Sequence, residues 1–395
     1  MVTVVIATVV AVVAPVARAA APAAKAKRTA PGTVVSAVPI DGAPARSKGW
    51  RIVYRTTTAA GAPAVSAGTV YVPTAPAPGG GKSTRFVVAW AHPTLGTGAD
   101  CTPSQAADPA AAIPGFAEMM ANGWVVTSTD YTGLGSPGVL PYLIGDGEAH
   151  NVLDSVRAAM NLPGTDAGTT FAVWGHSQGG HASLFTPGVA DRYAPELRLV
   201  GVAGAAPAAE LVPLVALQWN QFVAWVIGSE VIELWPKFYP ALTAAQVATP
   251  VAQQNAARLG SICITADQSA VLAAFGSYLL QPFFQVDPTT VPRWRAKLAA
   301  NTPTFVRAVP TFVAQGLQDD VVLPATTARL ERDWCDRGGK VTVVWYPEAT
   351  HFSIPTVSAD RTVTWLTERF AGKRAGDTCA GTPPVTPATV AAPAR

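Results

Sequence analysis

The sequence predicts an α/β fold in which helices flank a mostly parallel central sheet. Short apolar runs bounded by Gly and Pro alternate with segments of helical periodicity, which favours parallel strands joined by right-handed helical crossovers. The chain has 395 residues, of which 49% are hydrophobic, so it can bury a large core. Residues 208–307 show helical spacing of apolar and aromatic residues without a clear strand. We therefore expect a helical cap inserted into the sheet domain.

The two ends of the chain differ in composition from the middle. Residues 2–13 are apolar but too few to span a bilayer, which takes about 20 residues, and an A-x-A motif follows at residues 17–19. We interpret residues 1–19 as the signal peptide of a secreted protein without an integral membrane segment. An apolar anchor is the alternative, because no Lys or Arg precedes the run. Residues 20–46 are Ala/Pro-rich and predict an extended linker, and residues 381–395 predict a disordered tail.

The sheet domain is predicted to occupy residues 47–207 and 308–380. Gly and Pro bound its strands, apolar residues at helical spacing mark its helices, and the first two strands form a hairpin. In chain order, the predicted strands are Trp50–Thr57, Thr69–Val72, Arg85–Ala91, Trp124–Thr129, Thr170–Trp174, Leu199–Ala203, Thr311–Gln315 and Val341–Tyr346, and the predicted helices are Ile113–Asn122, His150–Met160, Ala325–Asp336 and Ala359–Phe370.

A G-x-S-x-G motif, Gly175–Gly179, directly follows a predicted strand and precedes a helix. In this setting the motif places its serine on a sharp turn, with the hydroxyl raised above the sheet. The backbone N–H of Gln178 lies at the start of the helix and can stabilise an oxyanion. We predict that Ser177 is a nucleophile; a glycine-flanked surface turn is the alternative.

A serine nucleophile needs a base, and the chain has five histidines. In proteins with this turn the chain order is serine, acid, histidine, so the base follows Ser177. His181 lies inside the next helix and cannot easily reach back to the hydroxyl. His351 follows the strand Val341–Tyr346, from which an imidazole can extend over the site. We predict that His351 is the base.

The acid is expected on the loop after the strand Thr311–Gln315. Asp319 and Asp320 both qualify, because a carboxylate there can orient the imidazole and stabilise the imidazolium. We favour Asp319, which comes three residues after the strand-ending Gly316, and keep Asp320 as the alternative.

A second oxyanion donor is expected on the loop after an early strand. The loop after Arg85–Ala91 begins with His92 and Pro93, and a proline has no N–H to donate. We predict that Thr94 donates through its backbone N–H or its hydroxyl, and Leu95 is the next candidate.

Four cysteines are present, without a C-x-x-C pair that would suggest zinc or redox chemistry. In an exported chain an even number predicts two disulfides, and four cysteines allow three pairings. Four buried thiols are the alternative. The cysteines are Cys101, Cys263, Cys335 and Cys379.

The formal net charge is only +3, and we find no basic run with interleaved aromatics, so we expect no nucleic-acid partner. The predicted chemistry needs no metal or organic cofactor.

Four motifs together resemble those of the secretory lipase family. They are residues 91–96 with Cys101, residues 130–135, residues 175–181 and residues 316–319. These proteins are α/β-hydrolases of bacteria and yeasts, including lipases of the yeast lipase A type. The similarity covers roughly residues 50 to 379, and the combination is far more specific than the G-x-S-x-G motif alone.

The resemblance implies an α/β-hydrolase fold with a helical cap over an acyl pocket. It supports Ser177, Asp319 and His351 as a catalytic triad. Pro93 is a departure, because the first motif often reads His-Gly in such proteins. The resemblance also implies a disulfide pairing of Cys101 with Cys263 and of Cys335 with Cys379.

From the motifs and the resemblance we expect a monomeric, secreted lipase that acts on a small-molecule or lipid ester at a lipid–water interface. Other hydrolases on the same fold are the alternatives: a short-chain or aromatic-acid carboxylesterase, a polyester hydrolase, or a proline-directed aminopeptidase that would bind its substrate amine with Glu230 and Glu233. A non-catalytic lipid-binding protein is a further alternative, which a complete triad disfavours. The aromatic residues of the cap predict either an acyl-binding surface or simply a core.

Overall fold

The computed structural model describes residues 30–77, 84–265, 269–278 and 280–389; the predicted signal peptide lies outside them. The described strands are β1 (Val34–Pro39), β2 (Ser47–Thr57), β3 (Pro63–Pro73), β4 (Arg85–Ala91), β5 (Val125–Thr129), β6 (Ala167–His176), β7 (Arg198–Ala205), β8 (Thr311–Gly316) and β9 (Val341–Tyr346). They form one sheet in the order β1-β2-β3-β5-β4-β6-β7-β8-β9. The predicted α/β-hydrolase class is confirmed.

Strands β4 to β9 are parallel, and β1, β2 and β3 extend the sheet as antiparallel strands at one edge. β5 and β8 are buried along their whole length. Short apolar runs of this kind suit strands that are covered on both faces by helices. Since the strands are parallel, their carboxyl ends and the loops that follow them share one edge of the sheet.

Helices flank the sheet and also fill the long connection between β7 and β8. Within that connection the described residues form helices and no named strand. This helical insertion lies inside residues 208–307, for which the sequence predicts a cap. The helices are α1 (Phe116–Ala121), α2 (Gly145–Asn161), α3 (Gln178–Tyr193), α4 (Leu211–Gln218), α5 (Val223–Phe238), α6 (Pro250–Gly260), α7 (Ser269–Phe275), α8 (Pro292–Ala300), α9 (Pro324–Asp336), α10 (Ile354–Val357) and α11 (Ala359–Phe370).

Several of the large aromatic side chains of the insertion are buried within the protein. Trp225, Trp235, Phe275 and Phe283 are each at most 1% exposed. Trp225 and Phe283 pack edge to face with ring centroids 5.0 Å apart, a preferred arrangement of aromatic pairs. For Trp225, Phe275 and Phe283, the core interpretation therefore fits better than an open acyl-binding surface.

The predicted linker and tail both need correction. Residues 34–39 do not form an extended linker, because they pair with β2 as an edge strand. Five of the six side chains of β1 are exposed, which explains why the sequence carries no buried-strand pattern there. The tail is ordered at least to residue 389: Ala388 N–H donates to the carbonyl oxygen of Ala325, and Arg329 donates to the carbonyl oxygen of Ala388. The two hydrogen bonds at Ala388, one from its own N–H and one from the Arg329 side chain, hold this segment, and composition does not predict such contacts.

Two disulfides link distant parts of the chain. Cys101 is bonded to Cys263, and Cys335 to Cys379, with Cα–Cα distances of 5.1 and 5.4 Å. This is the pairing that the family resemblance implies.

In the described ranges, each helix is either too short or too polar to cross a bilayer.

Candidate active site

Ser177 occupies the turn between β6 and α3. Its φ of 54° and ψ of −114° lie in a sparsely populated region for a residue with a side chain. The flanking glycines have a steric cause. A Cβ on Gly179 would collide with the carbonyl oxygen of Ala91, and a Cβ on Gly175 with the carbonyl oxygen of Gly179. The sharp turn therefore forms only with glycine at both positions.

The fold brings Ser177, His351 and Asp319 together from three separate loops. The hydroxyl of Ser177 donates to Nε2 of His351 over 2.9 Å, and Nδ1 of His351 donates to Oδ2 of Asp319 over 2.9 Å. The three residues are only 6%, 4% and 4% exposed, respectively. In this geometry the imidazole can take the proton of the serine while the carboxylate fixes its orientation.

Asp319 and its neighbour Asp320 have different environments. Oδ1 of Asp319 accepts hydrogen bonds from the backbone N–H groups of Val321 and Val322 at 2.9 and 2.8 Å. The side chain of Gln315 donates to Oδ2 of Asp319 over 3.2 Å. Asp320 is exposed. The structure therefore places Asp319, and not the alternative Asp320, against His351.

His176 supports the loop that carries His351. Its Nε2 donates to the carbonyl oxygen of His351 over 2.9 Å, and the two rings lie 4.8 Å apart. Burial, together with the nearby His351, lowers the pKa of His176 well below its usual value. His176 is therefore a neutral donor at physiological pH.

The two predicted oxyanion donors, Gln178 and Thr94, line one cavity together with Ser177. Thr94 is buried, and its hydroxyl lies 3.0 Å from the hydroxyl of Tyr142. Leu95, the next candidate, lines the larger of two neighbouring cavities, and its carbonyl oxygen accepts from Ile264 N–H at 3.0 Å.

The loop of Thr94 is fastened to the helical insertion. Thr97 N–H donates to the carbonyl oxygen of Gly260 over 2.8 Å. Gly96 has a φ of 92°, and a Cβ there would collide with the carbonyl oxygen of Ile262. The Cys101–Cys263 disulfide closes the same junction. The insertion therefore sets the position of the loop that carries Thr94.

Two cavities meet at Ser177. We call them the inner cavity, of about 100 Å³, and the outer cavity, of about 770 Å³. Ser177, Thr94 and Ile227 line both. The remaining lining is mainly apolar: Leu211, Val215, Val231 and Trp235 in the inner cavity, and Leu217, Phe222, Val226 and Phe352 beside His351 in the outer one.

Sequence reasoning missed Glu148, which is completely buried behind the turn of Ser177. Its Oε1 accepts a hydrogen bond from the side chain of Gln178 at 2.9 Å. One signal in the sequence could have identified it. Glu148 is spaced four and eight residues from Val152 and Val156, so it lies on the apolar face of its helix.

The carboxylates suggested for amine binding do not form an amine site. Glu230 is buried, and burial raises its pKa well above the usual value, which favours the uncharged acid. Glu233 forms an ion pair with Lys237 at 2.7 Å on the outside of α5. Neither environment suits the binding of a substrate amine.

Comparisons with known proteins place these features in a family. Residues 113–378 match the family described as Secretory lipase. The chain is 27% identical over 370 residues to a probable inactive lipase of Mycobacterium tuberculosis, with 88% of this chain and 80% of that protein covered. It is 23% identical over 387 residues to lipase A of Moesziomyces aphidis, with 90% and 79% covered.

A solved structure shares the fold. The closed state of Candida antarctica lipase A matches with a TM-score of 0.71 at 18% sequence identity, over 91% of this chain and 86% of that one. The family match spans more than half of the chain and includes Ser177, Asp319 and His351. The protein is thus an α/β-hydrolase of the lipase and esterase type, and it belongs to the secretory lipase family.

Proposed function

We propose that this protein is a secreted serine lipase that hydrolyses long-chain carboxylic esters through a Ser177–His351–Asp319 triad. The observation that carries the proposal is the pair of 2.9 Å contacts that join the serine to the imidazole and the imidazole to the carboxylate. A probable inactive lipase is among the relatives, so the presence of all three groups in bonding geometry is the argument for activity in this chain.

In the proposed mechanism, His351 takes the proton of Ser177 as the hydroxyl oxygen attacks the ester carbonyl carbon. The resulting oxyanion accepts hydrogen bonds from the backbone N–H of Gln178 and from Thr94. His351 then protonates the departing alcohol, which leaves an acyl-enzyme on Ser177. A water molecule gives its proton to His351, attacks the acyl carbon and releases the acid, and His351 returns its proton to Ser177.

The lining of the two cavities supports a lipase rather than an esterase for short acids. Both cavities at Ser177 are lined mainly by aliphatic and aromatic side chains, which suits an acyl chain. Secretion is supported by the two disulfides, which persist in oxidising compartments.

Hydrolysis of p-nitrophenyl esters from acetate to palmitate, with a triolein emulsion alongside, tests the proposal. We expect wild-type activity on long-chain esters and triolein, and a loss of about 10⁶-fold in kcat for Ser177→Ala, as for other triad serines. Activity confined to short chains would make the protein a carboxylesterase. A folded Ser177→Ala protein with near-normal turnover would disprove the triad.

A further inference from the structure

A buried carboxylate, Glu148, connects three parts of the chain around the turn of Ser177. Its Oε1 accepts from the backbone N–H of Leu143 and from the side chain of Gln178, both at 2.9 Å. Its Oε2 lies 2.6 Å from Nδ1 of His181. The side chains of Glu148 and His181 are both 0% exposed.

The hydrogen bonds of His181 fix the number of protons in this pair. Nε2 of His181 lies 2.7 Å from the carbonyl oxygen of Asn301, which can only accept, so Nε2 carries a hydrogen. Nδ1 and Oε2 of Glu148 also need a proton between them, whichever atom holds it. The pair then has no net charge, which allows a short, charge-assisted hydrogen bond inside the protein.

The same network reaches the end of the helical insertion. Asn301 directly follows α8, and its side-chain oxygen accepts from Gly145 N–H at 3.0 Å. Its side-chain nitrogen donates to the hydroxyl of Tyr239 over 2.8 Å. The pair of Glu148 and His181 therefore links the start of α2, the first turn of α3 and the insertion.

Gln178 and His181 are three residues apart and lie on one face of α3, so Glu148 holds the first turn of this helix at two points. Ser177, one residue before, has a strained backbone that persists only where its surroundings restrain it. We propose that Glu148 and His181 are positioning residues that keep the backbone N–H of Gln178 aimed at the oxyanion of the bound ester. The inference rests on the proposed function.

Replacement of Glu148 tests the proposal. Glu148→Ala removes both anchors, and we expect kcat to fall by about 100-fold, the effect of a misplacement of about 1 Å, while KM changes little. Glu148→Gln should recover most of this loss. Its amide oxygen can accept from Leu143 and Gln178, and its N–H can donate to Nδ1 of a neutral His181. The glutamine can therefore replace each of the three hydrogen bonds that Glu148 makes.

Asp154 provides a matched control on the same helix. It is also completely buried, and its partners are Arg157 and Tyr193. Asp154→Ala should lower the melting temperature about as much as Glu148→Ala but leave kcat within about twofold of wild type. A comparable loss of kcat in both variants would overturn the proposal, because the effect of Glu148 would then be general destabilisation.

An ester and its thionoester, in which sulfur replaces the carbonyl oxygen, report on the oxyanion site itself. Sulfur is a weak acceptor, so a well-aimed N–H favours the ester. We expect the ester-to-thionoester ratio of kcat to fall several-fold in Glu148→Ala and to return in Glu148→Gln. An unchanged ratio in a folded Glu148→Ala protein would refute the positioning role.

Two further variants keep the result decisive. If Glu148→Ala does not fold, Gln178→Leu keeps the backbone N–H but loses the side-chain anchor. The same fall in the ester-to-thionoester ratio of kcat is then expected, and an unchanged ratio refutes the positioning role.

Ser177→Ala separates this inference from the proposed function. If Ser177→Ala is inactive but Glu148→Ala behaves as wild type, only the positioning role fails; if Ser177→Ala is active, the proposed function fails first.

Discussion

At the residue scale, Asp319 and Asp320 form a natural matched pair of adjacent carboxylates. Asp319 holds Nδ1 of His351, whereas Asp320 is exposed to solvent. We expect Asp319→Asn to lower kcat on the order of 10³–10⁴-fold, because an amide no longer stabilises the imidazolium. Asp320→Asn should stay within about twofold of wild type. Steady-state hydrolysis of p-nitrophenyl butyrate by both variants measures this, and a larger effect at Asp320 would reverse the assignment.

A second prediction concerns the buried Asp130. Its Oδ1 accepts from Ser104 N–H at 3.1 Å, and its Oδ2 has no hydrogen-bond partner among the described residues. Burial raises its pKa from about 3.8 to about 7. Between these values the folded state keeps a proton that the unfolded state has lost. The Asp130 contribution to stability therefore decreases as the pH rises through this window.

Asp130→Asn cannot ionise, and its amide oxygen can still accept from Ser104. Relative to wild type, its free energy of unfolding should rise between pH 4 and pH 7, by at most about 1.4 kcal/mol for each unit of the pKa shift. Urea unfolding of both proteins at pH 4, 5.5, 7 and 8 gives this difference. A difference that does not vary with pH would contradict the raised pKa.

At the element scale, the two disulfides should have different effects on activity. Cys101–Cys263 joins the Thr94 loop to the insertion, and the two cysteines are 162 residues apart. Cys335 and Cys379 are 44 residues apart and join α9 to the segment that follows α11. Replacing either pair by serines should cost about 2–5 kcal/mol of stability. Only loss of the first pair should also lower kcat, by about tenfold, because the loop is then tied to the insertion by hydrogen bonds of Leu95 and Thr97 without a covalent link.

Thermal unfolding and ester hydrolysis of the two double variants separate these effects. Equal losses of kcat in both variants would show that the first disulfide acts only through global stability.

The sequence predicts those strands and helices whose burial produces a regular pattern of apolar residues. β4, β9 and α11 have the predicted bounds because apolar periodicity and flanking Gly or Pro define them locally. β1 was missed because an edge strand with exposed side chains carries no such pattern.

For the site, the G-x-S-x-G motif and the chain order predicted the residues that meet around Ser177. The contact of Glu148 with Gln178 was beyond prediction, because only the packing of α2 against α3 creates it.

At the scale of the whole molecule, the sheet domain carries Ser177, Asp319 and His351, whereas the insertion supplies most of the lining of the inner cavity, so substrate choice should be separable from chemistry. Val226 and Val231 lie on the same helix, α5, but Val226 lines only the outer cavity and Val231 only the inner one. We expect the acyl chain to occupy the inner cavity, because its lining is almost entirely apolar. Val231→Phe should then lower kcat/KM for the palmitate ester at least tenfold relative to the acetate ester, because a ring fills the space of several methylenes.

Val226→Phe introduces the same ring into the outer cavity, so it controls for a general effect of the bulkier side chain. It should leave the ratio of kcat/KM for the palmitate ester to kcat/KM for the acetate ester within about twofold of wild type. It should instead reduce activity on esters of bulky alcohols. Rates on a series of acids with one alcohol, and of alcohols with one acid, distinguish the two effects. If Val226→Phe shortens the accepted acyl chain and Val231→Phe does not, the acyl chain occupies the outer cavity, and the residues that line that cavity select the acid.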